Sequence, residues 1–327
     1  MHRFRRTAGA LALAVLFGAT SAKAVSTMPE CDPMFPDCSE DSPWLRDPKT
    51  GMSEGFCARW NPDFAFTDGH CCGKAPRRFR VRGIRCAPER AKNSFCDEMT
   101  PEQREYVRAI KEGRITDQLQ VVDQELALGS GEGQAQCDPD AGFLVRGRAL
   151  ANEPAAGLVL RRPDRCVNFG TDRLVAMLGW LARQLREHDP KTSLLVGDMS
   201  APRGGALCGR GGRKGHSSHK NGQDADIGFY RPGIQATAFS THGFDAEANW
   251  WLLKRIFNNP YVCVKVVFLD RSLIRKLRKE AGGDPEWSEF SRHIRHVRGH
   301  RNHLHVRVGQ EPGQAGCGAS DSIDLIE

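Results

Sequence analysis

The chain has 327 residues, with 47 Lys and Arg against 40 Asp and Glu, and a formal net charge of +7 at pH 7. The first 24 residues hold four of the basic residues and none of the acidic ones, so a mature chain starting at Val25 has a net charge of only +3. A nucleic-acid-binding domain needs a basic stripe interleaved with base-stacking aromatics, and the single candidate, residues 77–82 (RRFRVR), is short. The composition therefore does not favour a nucleic-acid partner.

The first 24 residues have the layout of a secretory signal peptide. Three arginines precede an apolar run over residues 10–17, and Ala22-Lys23-Ala24 forms a small-x-small cleavage site. This run is too short to span a bilayer comfortably, and no later stretch is long and apolar enough to do so. We expect cleavage near Ala24 and a periplasmic or secreted mature protein without a membrane span.

All 12 cysteines follow the predicted signal peptide, and an even number in an exported chain favours disulfides. The adjacent pair Cys71-Cys72 after His70 could be a zinc knuckle, but an oxidising compartment favours disulfide bonding. Eight cysteines precede residue 140 and four follow it. This distribution predicts that each part closes its own bridges, although spacing does not give the connectivity.

A flexible segment over residues 129–135 (GSGEGQA) divides the chain into two parts. Residues 25–137 are predicted to form a cysteine-rich N-terminal module with a helix near 101–127. Thr100 and Gln103 make a capping box at the start of this helix, with Pro101 at its first position. The residues of this module predict no chemistry, and wall attachment, shielding and inhibition of the following domain are all open.

Residues 138–327 are predicted to form one domain of mixed helices and strands. Thr171 caps a helix with a leucine stripe, and further helices follow near 245–257 and 273–277. Strands are predicted at 193–197, 224–230, 261–269 and 303–308, the last two from their alternating or β-branched residues. The predicted class is α+β, with a central, mostly antiparallel sheet, flanking helices and a zinc groove, preceded by the small disulfide-rich module.

Two distant stretches carry residue types that bind divalent metals, residues 215–227 (GHSSHKNGQDADI) and 299–308 (GHRNHLHVRV). The first has two histidines three residues apart and two aspartates two apart, with Gly222 at a turn between the pairs. In the second, strand alternation puts His303, His305 and Arg307 on one face of a strand.

A catalytic zinc site needs three protein ligands and an open position. His219, Asp226 and His305 supply such a set. A competing choice uses His216 in place of one of them, and spacing alone does not decide between the two. The pattern is not the HExxH signature, because no glutamate lies between the histidines and the glycines disfavour a helix.

These stretches, with Asn168-Phe169-Gly170, Val196-Gly197-Asp198-Met199-Ser200 and Pro202-Arg203-Gly204-Gly205, resemble the penicillin-insensitive murein endopeptidases. This family belongs to a wider group of zinc peptidases that includes lysostaphin, D-alanyl-D-alanine metallopeptidases and the zinc-binding domain of hedgehog. The resemblance covers roughly residues 160 to 308. The cysteine-rich region up to about residue 140 has no counterpart in the family pattern, and neither do the cysteine positions of the second domain.

The resemblance implies Zn²⁺ bound by His219, Asp226 and His305, with His216, His300 and His303 lining the same site. It also implies hydrolysis of peptide cross-links in peptidoglycan, typically the D-alanyl-meso-diaminopimelyl bond, by a zinc-activated water. We expect His303 to act as general base or to stabilise the transition state, and His216 or His300 to assist protonation of the leaving amine. A mechanism without a serine nucleophile would be insensitive to penicillin.

Several points stay open at this level. Asp224 is a candidate for orienting a ligand histidine. Five basic residues are candidates for pairing with carboxylates of the substrate: Arg203, Arg210, Arg213, Lys214 and Arg307. A D,D-carboxypeptidase or dipeptidase on the same scaffold and a non-catalytic zinc-dependent cell-wall-binding module are the alternative functions. The sequence does not distinguish a monomer from a homodimer.

Overall fold

A computed structural model describes the chain at residues 64–67, 70–74, 94–129, 133–136, 142–205, 207, 216 and 218–309. The predicted signal peptide and the cleavage site near Ala24 lie outside the described residues. Within the described ranges, no helix combines the length and apolar character that crossing a membrane requires.

The strands are short, and six of them form one sheet. Their bounds are β1 Phe64–Thr67, β2 His70–Lys74, β3 Gln134–Gln136, β4 Phe143–Val145, β5 Arg148–Ala149, β6 Leu158–Leu160, β7 Phe169–Gly170, β8 Leu194–Val196, β9 Asp224–Ile227, β10 Val264–Leu269, β11 Ile294–His296 and β12 Leu304–Val308. The six-stranded sheet has the order β11-β10-β12-β9-β8-β6, and the pairs β1-β2, β3-β4 and β5-β7 form two-stranded sheets.

The centre of the six-stranded sheet is antiparallel and its two outer pairs are parallel. β12 lies between β10 and β9 and runs antiparallel to both, and β9 is also antiparallel to β8. The outer pairs β10-β11 and β6-β8 are parallel. This arrangement confirms the predicted α+β class with a mostly antiparallel central sheet.

The helices begin at polar capping residues that the sequence makes visible. Their bounds are α1 Pro101–Lys111, α2 Gln118–Ala127, α3 Asp172–His188, α4 Ala246–Phe257, α5 Arg271–Ala281 and α6 Trp287–Phe290, with 3₁₀ turns at Cys96–Glu98, Pro154–Ala156, Pro163–Arg165 and Ser291–His293. The side chains of Thr171, Asp245 and Asp270 each accept a hydrogen bond from a backbone N–H in the first turn. Each such cap contributes about 1 kcal/mol.

In place of the single helix predicted near 101–127, the structure has the two helices α1 and α2. The Thr100 and Gln103 capping box is present at the start of α1, with Pro101 at its first position. A second cap lies inside the predicted range, because the Asp117 side chain accepts a hydrogen bond from the Gln120 N–H and starts α2. The sequence pattern did not distinguish this internal cap from an exposed acidic residue.

The main core lies between the helices and one face of the six-stranded sheet. The predicted leucine stripe of α3, at positions 174, 178, 181 and 185, is fully buried. Leu119 and Val122 of α2 join the same core, as do Leu304, Val306 and Val308 of β12. Full burial of a leucine stabilises the fold by roughly 1.5–3 kcal/mol, so this shared core fixes β12 and leaves its alternate residues on the opposite face.

A disulfide joins residues on either side of the domain boundary predicted near residue 137. Cys96 and Cys166 are bonded across 70 residues of sequence, and Phe95 N–H donates to Arg165 O at 2.9 Å beside them. The presence of disulfides agrees with the prediction, and Cys263 is also disulfide-bonded. The prediction that each part closes its own bridges was wrong, because Cys96 lies before residue 140 and Cys166 after it. Phe95 packs with Val167, Ala201 and Leu207, and this packing brings the two segments together.

Candidate metal centre

Strands β9 and β12 place carboxylates and a histidine side by side. Their antiparallel register pairs His305 with Asp226 and Arg307 with Asp224. Because successive residues of a strand point to opposite faces, these four side chains share the face away from the main core. Residues that are 80 positions apart in sequence meet here because of strand pairing.

The loop before β9 delivers His219 to the same place. His219 has a φ of 65°, a conformation uncommon for a residue with a side chain, and Gly222 follows with a φ of 77°. The His219 N–H donates to Asp224 Oδ2 at 2.9 Å, and Ser200 Oγ donates to the His219 carbonyl at 3.0 Å. The turn at Gly222 was expected from the sequence, whereas the left-handed backbone of His219 was not.

Three imidazoles converge on one carboxylate oxygen. Asp226 Oδ1 lies 3.3 Å from His219 Nε2, 3.3 Å from His303 Nε2 and 3.6 Å from His305 Nδ1. The side chains of His219, Asp226 and His305 are at most 5% exposed. Both candidate ligand histidines therefore have a ring nitrogen within 3.6 Å of Asp226 Oδ1.

Asp224 lies behind His305 rather than among the convergent atoms. His305 Nε2 is 3.1 Å from Asp224 Oδ1. The same buried carboxylate accepts hydrogen bonds from Arg307 Nε at 2.8 Å and Arg307 Nη2 at 3.3 Å. Burial alone would raise the pKa of Asp224, but Arg307 and His305 hold it well below its usual range. An ionised Asp224 favours the proton of His305 on Nε2, which leaves the Nδ1 lone pair directed at Asp226.

His300 lies on the other side of His305. Its Nδ1 lies 3.2 Å from the Val297 carbonyl and its Nε2 lies 3.2 Å from His305 Nδ1. Since a carbonyl only accepts hydrogen bonds, the Nδ1 of His300 carries its proton, and the two facing nitrogens both offer lone pairs. Burial and the neighbouring His305 and His303 lower the pKa of His300 to about 4, so this imidazole is neutral at pH 7.

His216 reaches the cluster from the loop side and is held by Asp198. His216 Nε2 is 3.1 Å from Asp198 Oδ2, and its side chain is 34% exposed. Asp198 also accepts hydrogen bonds from Arg162 and, at 2.6 Å, from Arg165. The contact of Asp198 with His216 was not predicted from the sequence motif in which Asp198 lies.

His303 is oriented by two neighbours. Its Nδ1 lies 2.7 Å from Asn302 Oδ1, so a proton on Nδ1 is donated there and Nε2 keeps a lone pair. Its ring stacks against Phe239, with centroids 5.5 Å apart and planes 23° apart. Neither neighbour was visible as a site residue in the sequence, because Phe239 lies in an irregular segment without a recognisable pattern.

The donor atoms of this cluster fit a divalent cation. Among the described residues, Asp226 Oδ1 and both ring nitrogens of His219 are buried without a hydrogen-bond partner, which is costly unless another group satisfies them. Burial lowers the pKa of His219, but Asp226, Asp224 and Asp198 outweigh burial and raise it to about 9. Three carboxylates thus favour a positive charge at this position. Imidazole nitrogens with a carboxylate oxygen are a donor set suited to zinc.

One group of three side chains among the described residues brings a ligand atom of each close to those of the other two. It consists of His216, His219 and Asp226, whose ligand atoms lie within 4.8 Å of one another. His305 is outside this group, but its Nδ1 lies 3.6 Å from Asp226 Oδ1. The alternative that spacing left open therefore concerns the third ligand beside His219 and Asp226.

The five basic residues predicted as candidates for binding substrate differ in whether they have partners within the protein. Arg307 is committed to Asp224, so its guanidinium holds the site together and does not face a substrate. Arg203, which lies within the described residues, also interacts with other parts of the protein. Arg210, Arg213 and Lys214 lie outside the described residues.

One comparison with known proteins matches this part of the chain. Residues 138–242 match the family model described as penicillin-insensitive murein endopeptidase. The match spans about a third of the chain and contains His216, His219 and Asp226. His303 and the following strand β12, which holds His305, lie beyond it. No curated protein sequence matches the chain.

Proposed function

We propose that the chain, whose residues 138–242 match the penicillin-insensitive murein endopeptidase family model, is an exported zinc metallopeptidase that cuts peptide cross-links of peptidoglycan. The observation that carries the proposal is the position of His219 and His305, whose ring nitrogens both lie beside one buried oxygen of Asp226. The family supports murein as the substrate, and the cluster supports a metal-dependent hydrolysis within it.

We propose His219, Asp226 and His305 as the zinc ligands. His305 is favoured over His216 because its side chain is only 5% exposed and its Nδ1 lies 3.6 Å from Asp226 Oδ1. His216 instead has Nε2 beside Asp198 and a third of its side chain exposed. A zinc ion bound here would supply Lewis acidity towards the scissile carbonyl and activate a water molecule.

His303 is the proposed general base. Its Nε2 lies 3.3 Å from Asp226 Oδ1, beside the convergent ligand atoms, and its side chain is 14% exposed, so water can reach it. The contact of Nδ1 with Asn302 leaves Nε2 free to accept a proton from an attacking water. A positioned base of this kind contributes on the order of 10²–10⁴-fold to the rate.

Protonation of the leaving amine is assigned to His216 or His300. His216 is more exposed, and its Nε2 lies 3.1 Å from Asp198 Oδ2. His300 is neutral at pH 7, because burial and its histidine neighbours lower its pKa, so it has no imidazolium proton to donate before substrate binds. These features favour His216 as the proton donor.

The bond proposed for cleavage is the D-alanyl-meso-diaminopimelyl cross-link, and the proposed site of action is the periplasm or the cell exterior. The test is incubation of the purified mature protein with sacculi, with and without a chelator, followed by mass spectrometry of the released peptides. We expect cross-linked dimers to be converted into monomers only when the chelator is absent.

The same measurement separates the alternatives. Release of free alanine without loss of cross-links would identify a D,D-carboxypeptidase. Binding to sacculi without any product would identify a non-catalytic wall-binding module. Conversion of dimers that continues in excess chelator would refute the metal-dependent mechanism.

A further inference from the structure

The segment after β6 carries three arginines near the candidate metal centre, and they differ in their partners. Arg162 and Arg165 both donate to Asp198. The Arg161 guanidinium instead lies 4.4 Å from the centre of the Phe239 ring. No other described residue forms an ion pair or hydrogen bond with the Arg161 side chain, which is exposed.

Phe239 connects Arg161 to the site. Its ring stacks on His303 and also contacts the Arg161 guanidinium. It also lies directly above Gly197, where a Cβ would come within 2.5 Å of the Phe239 Cζ atom. His303, Phe239 and Arg161 therefore form one continuous row beside the convergent ligand atoms.

Backbone hydrogen bonds hold the main chain at Arg161 and beside Phe239. The Arg161 N–H donates to the Val196 carbonyl at 2.8 Å, next to Gly197. Beside Phe239, Ala238 and Phe229 exchange two backbone hydrogen bonds of 2.9 Å. Since the main chain is fixed on each side, the position of the guanidinium does not depend on a mobile loop.

The charges favour an anionic partner at Arg161. The single carboxylate of Asp198 already pairs with Arg162, Arg165 and His216. The three arginines and Asp198 together therefore carry a net positive charge. A cation over an aromatic face is attracted by the quadrupole of the ring, which orients a guanidinium without neutralising it. The planar fork of arginine is suited to binding a carboxylate through two hydrogen bonds.

We propose that Arg161 binds a carboxylate of the peptide substrate and thereby contributes to substrate specificity. The inference rests on the proposed function, because it assumes that a peptide lies along this row. The guanidinium lies 4.4 Å from Phe239 and Phe239 lies 5.5 Å from His303, so Arg161 is within about 10 Å of the proposed base. An extended peptide covers about 3.3–3.6 Å per residue. The carboxylate therefore lies roughly two to three residues from the scissile bond.

The test compares two substrates and three proteins. The substrates are a cross-linked peptide dimer with free carboxylates and the same dimer with those carboxylates amidated. The proteins are the wild type, Arg161→Gln and the control Arg275→Gln, which removes an exposed arginine of α5 outside the site. We expect Arg161→Gln to raise KM roughly 10-fold for the carboxylate dimer with little change in kcat, because it removes binding that is uniform along the reaction.

The amidated dimer provides the specific readout. Arg161→Gln should leave its KM unchanged, and Arg161→Lys should recover part of the affinity for the carboxylate dimer. Zinc content and melting temperature of each variant report whether the site is intact. Equal losses on both dimers, or no loss on either, would overturn the role of Arg161.

Calorimetric binding of the carboxylate dimer to zinc-free protein separates this inference from the proposed function. If the wild type binds the dimer and never cleaves it, the proposed function fails, and weaker binding by Arg161→Gln still decides the role of Arg161. If the zinc-loaded wild type cleaves the dimer and Arg161→Gln binds it as tightly as the wild type does, the role of Arg161 fails and the proposed function stands.

Discussion

Single substitutions of His305 and His216 would decide which of them is the third metal ligand. His305 has a side chain only 5% exposed, with Nδ1 3.6 Å from Asp226 Oδ1. Its position is fixed by β12, where it lies opposite Asp226 and Phe268. His216 is 34% exposed and has Nε2 3.1 Å from Asp198. His305→Ala would therefore remove a buried donor, and His216→Ala a partly solvated one.

The expected difference follows from the energy of zinc binding. Apparent binding free energies of structural zinc sites are about 10–16 kcal/mol for four ligands, or roughly 3 kcal/mol for each. Since about 1.4 kcal/mol changes a dissociation constant tenfold, His305→Ala should raise the zinc Kd roughly 100-fold. His216→Ala, which removes a group outside the proposed ligand set, should raise it by about 10-fold or less.

The assay is competition for zinc against a chromophoric chelator of known affinity, with metal content checked by mass spectrometry. His242→Ala is the matched control, because it removes an exposed histidine outside the cluster and should leave the zinc Kd unchanged. A large loss in His216→Ala together with a small one in His305→Ala would refute the proposed ligand set in favour of His216. Small losses in both would refute a metal centre that depends on either residue.

Three further outcomes are expected. His303→Ala should lower kcat for murein hydrolysis on the order of 10²–10⁴-fold while zinc stays bound, and loss of zinc from this variant would contradict its role as base. Asp198→Asn should destabilise the fold by about 2 kcal/mol at pH 6 in denaturant titrations, because it weakens charged hydrogen bonds. Burial raises the pKa of Asp198, but His216, Arg165 and Arg162 outweigh burial and hold it well below its usual range. The contribution of this group is therefore present above the unfolded pKa near 3.9 and declines as pH falls below it. The difference between variant and wild type should shrink in acid, and a constant difference down to pH 2 would contradict this assignment. Replacing Cys96 and Cys166 by serine should lower stability by about 2–4 kcal/mol, and an unchanged melting temperature would show that the bond does not hold the N-terminal segment.

The residues of the site were visible in the sequence, but their relations were not. His219, Asp226 and His305 followed from the spacing of metal-binding residue types and from the family resemblance. Their contact depends on the register of β9 and β12, which pairs His305 with Asp226. A shift of this register by one residue would turn the side chains of one strand to the opposite face.

Other features required the fold. Arg307 was a candidate for binding substrate, but its position opposite Asp224 commits it to that carboxylate. Phe239 and Arg161 lie far apart in sequence and carry no motif. They meet because Phe239 packs against Gly197 and the Arg161 N–H bonds to the adjacent Val196 carbonyl. The pairing of Cys96 with Cys166 likewise depends on which segments pack together.

By itself, the sequence determined the local structure and the kinds of ligand atoms. Helix caps act within a few residues, strand alternation repeats every second residue, and imidazole or carboxylate chemistry belongs to each side chain wherever it lies. The tertiary structure alone decided which donor atoms lie close together, which nitrogen of His305 lies nearer Asp226 and which arginine keeps an exposed guanidinium. These outcomes depend on distances of a few ångströms between residues that are tens of positions apart, and packing and strand register set those distances.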